Sequence, residues 1–456
     1  MNYIIYIIVP VIIVLVSIKF FSKAAGTVSL TSLNTISYLL YSQLLPVAAI
    51  GSILVANNLV DNHYVIARIS DVTKLKGLYW VLYSLIMMPI SMMLLNKIFR
   101  VNIKKRYADY LSEKVILQKK GNKSLVMWIF SSLSLFTFLY IIIYSPSYPF
   151  LTAILDGNLL SASVGRIDVR YNFKGIVQIK NLFGFYLVPI FSYFTYCYYH
   201  IDKTKTSKFH FVFNFLIAVL ILTFDTQKAP VAIFLVGFLI VRSLLGEKLK
   251  LRSLFAWGIG LLIIIFAAYI FISGHKLEHL LRFDSVIMYR LFVGQIGGYF
   301  LSLEWFPDII TESTLFVGLP SIFQDALNLE IKESARLLME YFNPTGVQSG
   351  IAGLMNSYFL GEAWANYSYL GLLVSPIIVG FTIQGVHLWL LKSKKTPLNI
   401  AFYTGITIRW MITGGFVNFL YMKQILYPIA LYIFVKYLIE FFYTVASNGR
   451  VRKVSI

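Results

Sequence analysis

Long apolar segments alternate with short polar ones along the chain, from Tyr3 to Tyr443. Most apolar segments have about 20 residues, the length that an α-helix needs to cross the hydrocarbon core of a bilayer. The pattern predicts an all-α, polytopic membrane protein with about eleven transmembrane helices, within a range of about 10 to 13. The predicted spans are roughly Tyr3–Phe20, Ile36–Val55, Leu78–Ile98, Ser124–Tyr144, one ending near His200, two flanking Asp225–Pro230, Ser253–Ser273, Leu370–Leu391 and two more before Arg450.

The charged residues predict the orientation of these spans. The chain is 58% hydrophobic with a mean hydropathy of +0.74, yet its net charge is +20. Segments assigned to the cytoplasm hold 24 Lys and Arg against 4 Asp and Glu, whereas the opposite side holds 13 against 15. This distribution follows the positive-inside rule, so we expect the N-terminus outside and the C-terminus in the cytoplasm. Because the positive charge is mostly topological, it does not indicate a nucleic-acid partner.

One connection is far longer than the others. About 95 residues, from Gly274 to Tyr369, separate the eighth and ninth spans on the outer side, and loops of that length are usually functional. Within it, Lys332–Phe342 has the pattern of an amphipathic helix, ended by the turn signal Asn343-Pro344-Thr345-Gly346. We therefore predict a single membrane domain, residues 1–456, with a large helical extracytoplasmic (periplasmic) loop or cap over residues 274–369.

The chain lacks the motifs of nucleotide-driven chemistry. It has no Gly-rich phosphate loop, no dinucleotide fingerprint and no Asp-x-Asp pair. The stretch His275-Lys276-Leu277-Glu278-His279 has the spacing of an inverted zinc-peptidase motif, but no convincing third ligand follows, and Glu304 is the best of a poor set. We expect no metal and no cofactor. Cys197 is the single cysteine, so no intramolecular disulfide forms.

Cations recur on the predicted outer side, close to the ends of spans. Arg166 and Arg170 are four residues apart, and an arginine binds phosphate through paired hydrogen bonds that lysine does not reproduce. An arginine inside a span usually faces a cavity or a partner because an isolated charge is costly there. The candidate ligands for a lipid pyrophosphate or its glycan are Arg166, Arg170, Lys228, Arg290 and Arg409, with Arg282 nearby.

Each of these residues has a second interpretation. An outer arginine near a span end often reaches to lipid headgroups as an anchor. Aromatic side chains crowd the outer cap, where they either stack on sugar rings or build an ordinary core. The aromatic residues concerned are Trp305, Phe306, Tyr341, Phe342, Tyr358, Phe359, Trp364, Tyr367 and Tyr369.

Two short stretches accompany the long outer loop. Its exit reads Gly361-Glu362-Ala363-Trp364 and leads into a span, and a hairpin reads Thr223-Phe-Asp-Thr-Gln-Lys-Ala229. Loop, exit and hairpin together resemble the Wzy-type O-antigen and capsule polymerases, the oligosaccharide repeat-unit polymerases. The family's pattern of Arg with Gly eleven residues later is not reproduced, since Gly294 follows Arg282 by twelve.

The resemblance implies a metal-independent glycosyltransferase in the bacterial inner membrane. It would polymerise undecaprenyl-pyrophosphate-linked repeat units at the outer face into O-antigen of lipopolysaccharide, or into capsular or exopolysaccharide. The growing chain would move onto the terminal sugar of one lipid-linked unit, and lipid pyrophosphate would leave. The implied partners are the lipid-linked glycans, membrane lipid, a chain-length regulator and a flippase.

Such a transfer needs cations at the departing pyrophosphate and a base for the acceptor hydroxyl. We assign the catalytic roles to His279, Glu362 and Arg282, with Glu304 and Asp308 as further candidate bases. Three alternatives stay open: an O-antigen ligase, which shares donor and fold but uses a lipid A-core acceptor; a flippase for lipid-linked oligosaccharides; and a structural or binding membrane protein.

Overall fold

A computed structural model describes residues 2–452 except 118–119, 150–164, 166–167, 170–171, 225–228, 272–277, 279–288, 311–318, 320, 329–332, 350–351 and 422. The described residues form helices, turns and loops, with no β-strand among them. In chain order the first nine helices are α1 (Asn2–Ala25), α2 (Thr35–Ala56), α3 (Asp71–Ile98), α4 (Ile103–Ser112), α5 (Lys120–Tyr144), α6 (179–202), α7 (Lys205–Thr223), α8 (Ala229–Leu244) and α9 (Leu251–Phe271). The others are α10 (Gly297–Trp305), α11 (Ser321–Ala326), α12 (Ser334–Phe342), α13 (Pro344–Gln348), α14 (Phe359–Lys392), α15 (Pro397–Thr407), α16 (Val417–Leu420) and α17 (Lys423–Arg452).

Seven helices in the described part of the chain are long and apolar enough to cross a membrane: α1, α2, α3, α5, α7, α14 and α17. The predicted all-α chain with several helices able to cross a membrane is therefore confirmed for the described residues, and these helices agree with a multi-pass membrane protein. The count of about eleven spans and the outer placement of the long loop stay predictions. Within that loop, the expected amphipathic helix is present as α12, and the Asn343 side chain accepts the Gly346 N–H at the turn that follows.

The helices form two compact units. The first contains Met1–Asp109, Lys250–Leu391 and Trp410–Lys423, and the second contains Tyr110–Leu249, Lys392–Arg409 and Gln424–Ile456. In the first unit, α1, α3 and α14 meet in a buried amide network. The Gln384 side chain donates to Asn96 Oδ1 (2.6 Å) and to the Ala24 carbonyl (3.0 Å), which also accepts from Asn96 (2.9 Å). Such interhelical hydrogen bonds fix the position of one apolar helix along its neighbour, which apolar contacts alone do not specify.

The second unit is built around α5, α6, α7, α8 and α15. Ser131 of α5 is hydrogen-bonded to His210 (2.8 Å) and Asn214 (2.9 Å) of α7, and all three side chains are buried. Phe130 stacks on Phe191 of α6, with ring centroids 4.1 Å apart. The packing therefore combines close aromatic contacts with a hydrogen-bonded polar cluster, as expected for helices in lipid.

Some predicted spans depart from a regular α-helix of full length. α2 is wound as a π-helix over Leu40–Gly51, around Pro46, which lacks an N–H. α15 has only 11 residues, about 16 Å, which is roughly half of the hydrocarbon thickness. Hydropathy predicted a full tenth span here. Instead the helix ends at Thr407, so Arg409 lies in a turn and not inside a helix.

A buried lysine closes the end of α4 in the second unit. Lys395 is 1% exposed, and its Nζ donates to the carbonyls of Tyr110 (2.9 Å) and Leu111 (3.0 Å). In return, the Ile116 N–H donates to the Lys395 carbonyl (2.8 Å). Burial lowers the pKa of Lys395 to about 8, although Glu113 opposes the shift.

This burial predicts a pH-dependent stability. Between about pH 8 and pH 10.5 the unfolded chain holds a proton at Lys395 that the folded protein has released, so stability should rise with pH across that window. The expected gain is about 1–3 kcal/mol. It is measured as the rise in thermal unfolding temperature in detergent from one end of the window to the other. Lys395→Met should reduce this rise, whereas Lys394→Met, at an exposed neighbouring position, should leave it unchanged; equal rises in all three proteins would contradict the assignment.

Candidate functional site

Three of the residues predicted for the site lie in the described part of the chain: Glu362, Arg290 and Arg409. Glu362 and Arg290 belong to the first unit, and Arg409 belongs to the second. The other predicted residues lie outside the described residues; they are Arg166, Arg170, Lys228, His279 and Arg282.

Glu362 is a buried carboxylate at the start of α14. It is 7% exposed, and its Oε2 accepts the N–H of Val417 at 2.9 Å. The same oxygen faces Gly415, where any Cβ atom would overlap with it. A glycine at this position thus lets the backbone approach the carboxylate closely, and the N–H holds the carboxylate in one orientation.

The loop opposite Glu362 is fixed by further backbone contacts. The Gln43 side chain accepts the Ile412 N–H (2.8 Å) and donates to the Trp410 carbonyl (2.8 Å). The Ile412 carbonyl accepts the N–H of Phe359, three residues before Glu362. Non-helical backbone inside a membrane protein is tolerated where the protein satisfies its polar groups, and residues 410–417 meet that condition at several positions. We therefore regard Glu362 and residues 410–417 as one preorganised element, called the Glu362 loop.

A tyrosine adds a hydroxyl group to the Glu362 loop. Tyr367 follows Glu362 by five residues, hydrogen-bonds to Tyr421 and is close enough to Glu362 to interact with its charge. Its ring packs edge-on against Phe416, with centroids 6.1 Å apart. The element therefore contains two groups that can hydrogen-bond to sugar hydroxyls. The carboxylate accepts hydrogen bonds, and the phenol both donates and accepts them.

Arg409 occupies a different setting, in the second unit. Its guanidinium lies 4.6 Å from the ring centroid of Tyr186, and the side chain is partly buried. None of the described carboxylates forms an ion pair with it. A cation held by an aromatic face keeps hydrogen-bonding capacity for an anion, because the ring engages the face of the guanidinium and leaves its edge donors available.

Arg290 lies in the short π-helical turn Tyr289–Val293, and its side chain is exposed. The turn packs on α2, where Gly51 faces the Phe292 carbonyl. Tyr289 packs edge-on against His63, with ring centroids 5.0 Å apart, and burial lowers the pKa of His63. The fold thus fixes the backbone of Arg290 while its side chain stays accessible to a ligand.

The two other candidate bases among the described residues, Glu304 and Asp308, are placed differently from Glu362. Glu304 accepts a hydrogen bond from the Ser70 hydroxyl (2.8 Å), which also caps α3, and Asp308 is exposed to solvent. Among the described residues, no group of three or more His, Cys, Asp or Glu side chains is arranged to hold a metal ion. Of the described carboxylates named as bases, Glu362 is the one that is both buried and held by a glycine-containing loop.

Lys76 is a further cation beside the candidate aromatic residues, and no sequence pattern indicated it. Its Nζ lies 4.1 Å from the ring centroid of Trp364 and 5.1 Å from that of Tyr369. The Trp364 ring is held in place because its Nε1 donates to the Phe306 carbonyl (2.9 Å). The two rings were singled out as possible sugar contacts, but the lysine is about 290 residues away along the chain, and no local pattern connects them.

Comparison with known proteins adds no relative. No family model matches the chain, and neither a curated protein nor a solved structure does so.

Proposed function

We propose that this protein polymerises lipid-pyrophosphate-linked oligosaccharide repeat units at the outer face of a bacterial inner membrane. The observation that carries the proposal is the buried Glu362 carboxylate, held by Val417 against Gly415 where α14 begins. A second support is the resemblance of the surrounding Gly-Glu-Ala-Trp stretch to Wzy-type polymerases. About eleven spans, an outer N-terminus and a cytoplasmic C-terminus form part of the same proposal.

The proposed reaction is one glycosyl transfer per added block. Glu362 accepts the proton of an acceptor sugar hydroxyl as that oxygen forms a bond to the anomeric carbon of the donor glycan. The bond between that carbon and the pyrophosphate oxygen breaks, and its electron pair leaves with undecaprenyl pyrophosphate. Cations stabilise the departing charge. The proposed contributors are Arg166, Arg170, Lys228, Arg282, Arg290 and Arg409, with His279 as a second candidate base.

The function is tested by deleting the gene in its own host. Loss of a polymerase leaves single repeat units on the surface acceptor, while long chains disappear. Loss of a flippase removes both products, and loss of a ligase leaves polymer on the lipid carrier. A deletion strain that still makes long chains, or one that lacks single-repeat products, would contradict the polymerase.

The orientation is tested with single cysteines. In a Cys197→Ser background, Ser349→Cys in the long loop should react with an impermeant thiol reagent on intact spheroplasts, whereas Ser112→Cys at the end of α4 should react only after lysis. Both positions are exposed, and Cys197 itself is buried. The expectation follows from the charge distribution. Labelling of Ser112→Cys in intact cells would invert the topology and place the Glu362 loop on the wrong side for the proposed reaction.

A further inference from the structure

An apolar groove runs between α1 and α3 in the first unit. Its volume is about 340 Å³, within the usual range of ligand pockets. Tyr6, Val9 and Ile13 line it from α1. From α3 the lining includes Leu82, Tyr83 and Met87. The Tyr83 hydroxyl donates to the Leu373 carbonyl of α14 (3.0 Å), which fixes this wall.

The groove opens on a face that a membrane would cover with lipid. Beside it, Ile12 is 54% exposed and Tyr79, at the rim, is 58% exposed. Both helices are long and apolar enough to cross the bilayer, so these exposed apolar side chains face hydrocarbon chains and not water. A lipid chain is therefore the occupant that the surroundings of the groove favour.

Lys76 precedes the first groove-lining residues of α3, Leu78 and Tyr79, by less than one helical turn. It precedes Tyr83 by seven residues and Met87 by eleven, so each of these two side chains lies within about 20° of Lys76 around the axis of α3. The helical rise places Lys76 about 10 Å from Tyr83 and about 16 Å from Met87 along the axis. A cation and an apolar groove thus follow one another along a single helical face.

The charge of Lys76 is not neutralised by a described carboxylate. The neighbouring Lys74 differs in this respect, because its Nζ contacts Asp61 (2.9 Å) and Asp71 (3.3 Å). These two carboxylates therefore pair with Lys74. Lys76 instead lies over the rings of Trp364 and Tyr369. An ammonium group has three N–H donors, and contact with aromatic faces does not use all of them. The Lys76 ammonium therefore keeps hydrogen-bond donors for an anion beside the groove.

We propose that this groove binds the polyisoprenyl chain of the phosphate-linked carrier lipid, with its phosphate on Lys76. The inference rests on the proposed function, because it takes the carrier lipid of that reaction as the occupant. One groove with one cation matches a lipid with one chain, whereas a common phospholipid brings two chains. The Tyr369 ring, 55% exposed beside Lys76, offers an aromatic surface to the first sugar attached to the phosphate.

The test measures lipid binding without turnover, on the full-length protein in detergent. The probes are a polyisoprenyl phosphate, the polyisoprenol without phosphate, diacyl phosphatidylglycerol and inorganic phosphate, each titrated by native mass spectrometry. We expect polyisoprenyl phosphate to bind the wild-type protein more tightly than the other three probes. Lys76→Gln should lower the affinity for polyisoprenyl phosphate about tenfold, because one charge-assisted contact is lost. The affinity for polyisoprenol should be unchanged.

A second pair of variants addresses the groove. Ile13→Trp fills it and should weaken both polyisoprenyl probes, whereas Ile12→Trp, on the adjacent lipid-facing position, should weaken neither. Lys174→Gln, at an exposed lysine of the second unit, is the matched charge control. Equal binding of phosphatidylglycerol, unchanged binding in Lys76→Gln or Ile13→Trp, or capture of a second copy of the chain in place of lipid would each overturn the proposal.

The outcomes separate this proposal from the polymerase itself. If the variants bind the polyisoprenyl phosphate normally while gene deletion still abolishes long chains, the groove assignment is wrong and the function stands. If Lys76→Gln and Ile13→Trp lose the probe but the deletion strain keeps its long chains, the protein binds a polyisoprenyl phosphate and the polymerase is wrong.

Discussion

Glu362→Gln should lower the synthesis of long glycan chains by about 10²- to 10³-fold while the protein remains folded. The glutamine amide oxygen can still accept the Val417 N–H, so the contact that orients the side chain survives. The amide has no basic oxygen that could take the proton of an acceptor hydroxyl, so the chemical step should fail. The measurement is the length distribution of the glycan made in membranes at matched protein levels, with thermal unfolding as the check on the fold.

The matched control is Glu340→Gln in α12. Glu340 is partly exposed and pairs with Arg336 one turn away (2.9 Å), a type of surface ion pair that contributes little to stability. Chain length should therefore remain normal in Glu340→Gln. Glu362→Asp keeps the charge but withdraws it from Val417, and we expect an intermediate defect. Normal polymer from Glu362→Gln would remove Glu362 from the chemistry and direct attention to His279.

The membrane helices were predictable because one strong effect determines them. A bilayer accepts only backbone whose polar groups are satisfied internally, so apolar runs of sufficient length become helices whatever their neighbours. The helices α1, α3 and α5 accordingly lie where hydropathy placed the first, third and fourth spans. The structure extends α3 to Asp71, several residues before the predicted start, because the Ser70 side chain caps the helix there.

The irregular parts were not predictable from hydropathy. Residues 408–416 are nearly as apolar as the helix before them, yet they form a loop. What makes the loop stable is its set of partners, Gln43 and Phe359 among them, which are separated from it by tens to hundreds of residues. A hydropathy window contains no such long-range contacts, and it reads the segment as the second half of a span.

For the same reason, one residue of the candidate site was predictable from the sequence and its partners were not. Glu362 was found because its own stretch, Gly-Glu-Ala-Trp, carries a local pattern. Its partners Gly415 and Val417 follow more than 50 residues later, and nothing in their local sequence indicates a carboxylate opposite. Lys76 was missed for a related reason, since a lysine near a span end is ordinary until Trp364 and Tyr369 are seen beside it.

Gly371→Ala should destabilise the protein by about 3 kcal/mol or more, for reasons that do not depend on its function. α14 is interrupted at Ser368, whose φ of 51° and ψ of −138° are non-helical. The interruption brings the Ala363 carbonyl against Gly371, and any Cβ atom at position 371 would overlap with that backbone oxygen. A backbone atom has no rotamer through which to move away, so relief would require the two halves of α14 to shift.

Gly385→Ala on the same helix is the control for this prediction. No atom lies within 4 Å of the position that a Cβ would take at Gly385, so the substitution adds a methyl group without a clash. Alanine is the better helix former by about 1 kcal/mol, and this variant should be as stable as the wild type or slightly more so. Thermal unfolding in detergent compares the three proteins at one pH. A Gly371→Ala protein that unfolds at the wild-type temperature would show that α14 continues through Ser368 without the break, and the position of Glu362 relative to residues 410–417 would have to be redrawn.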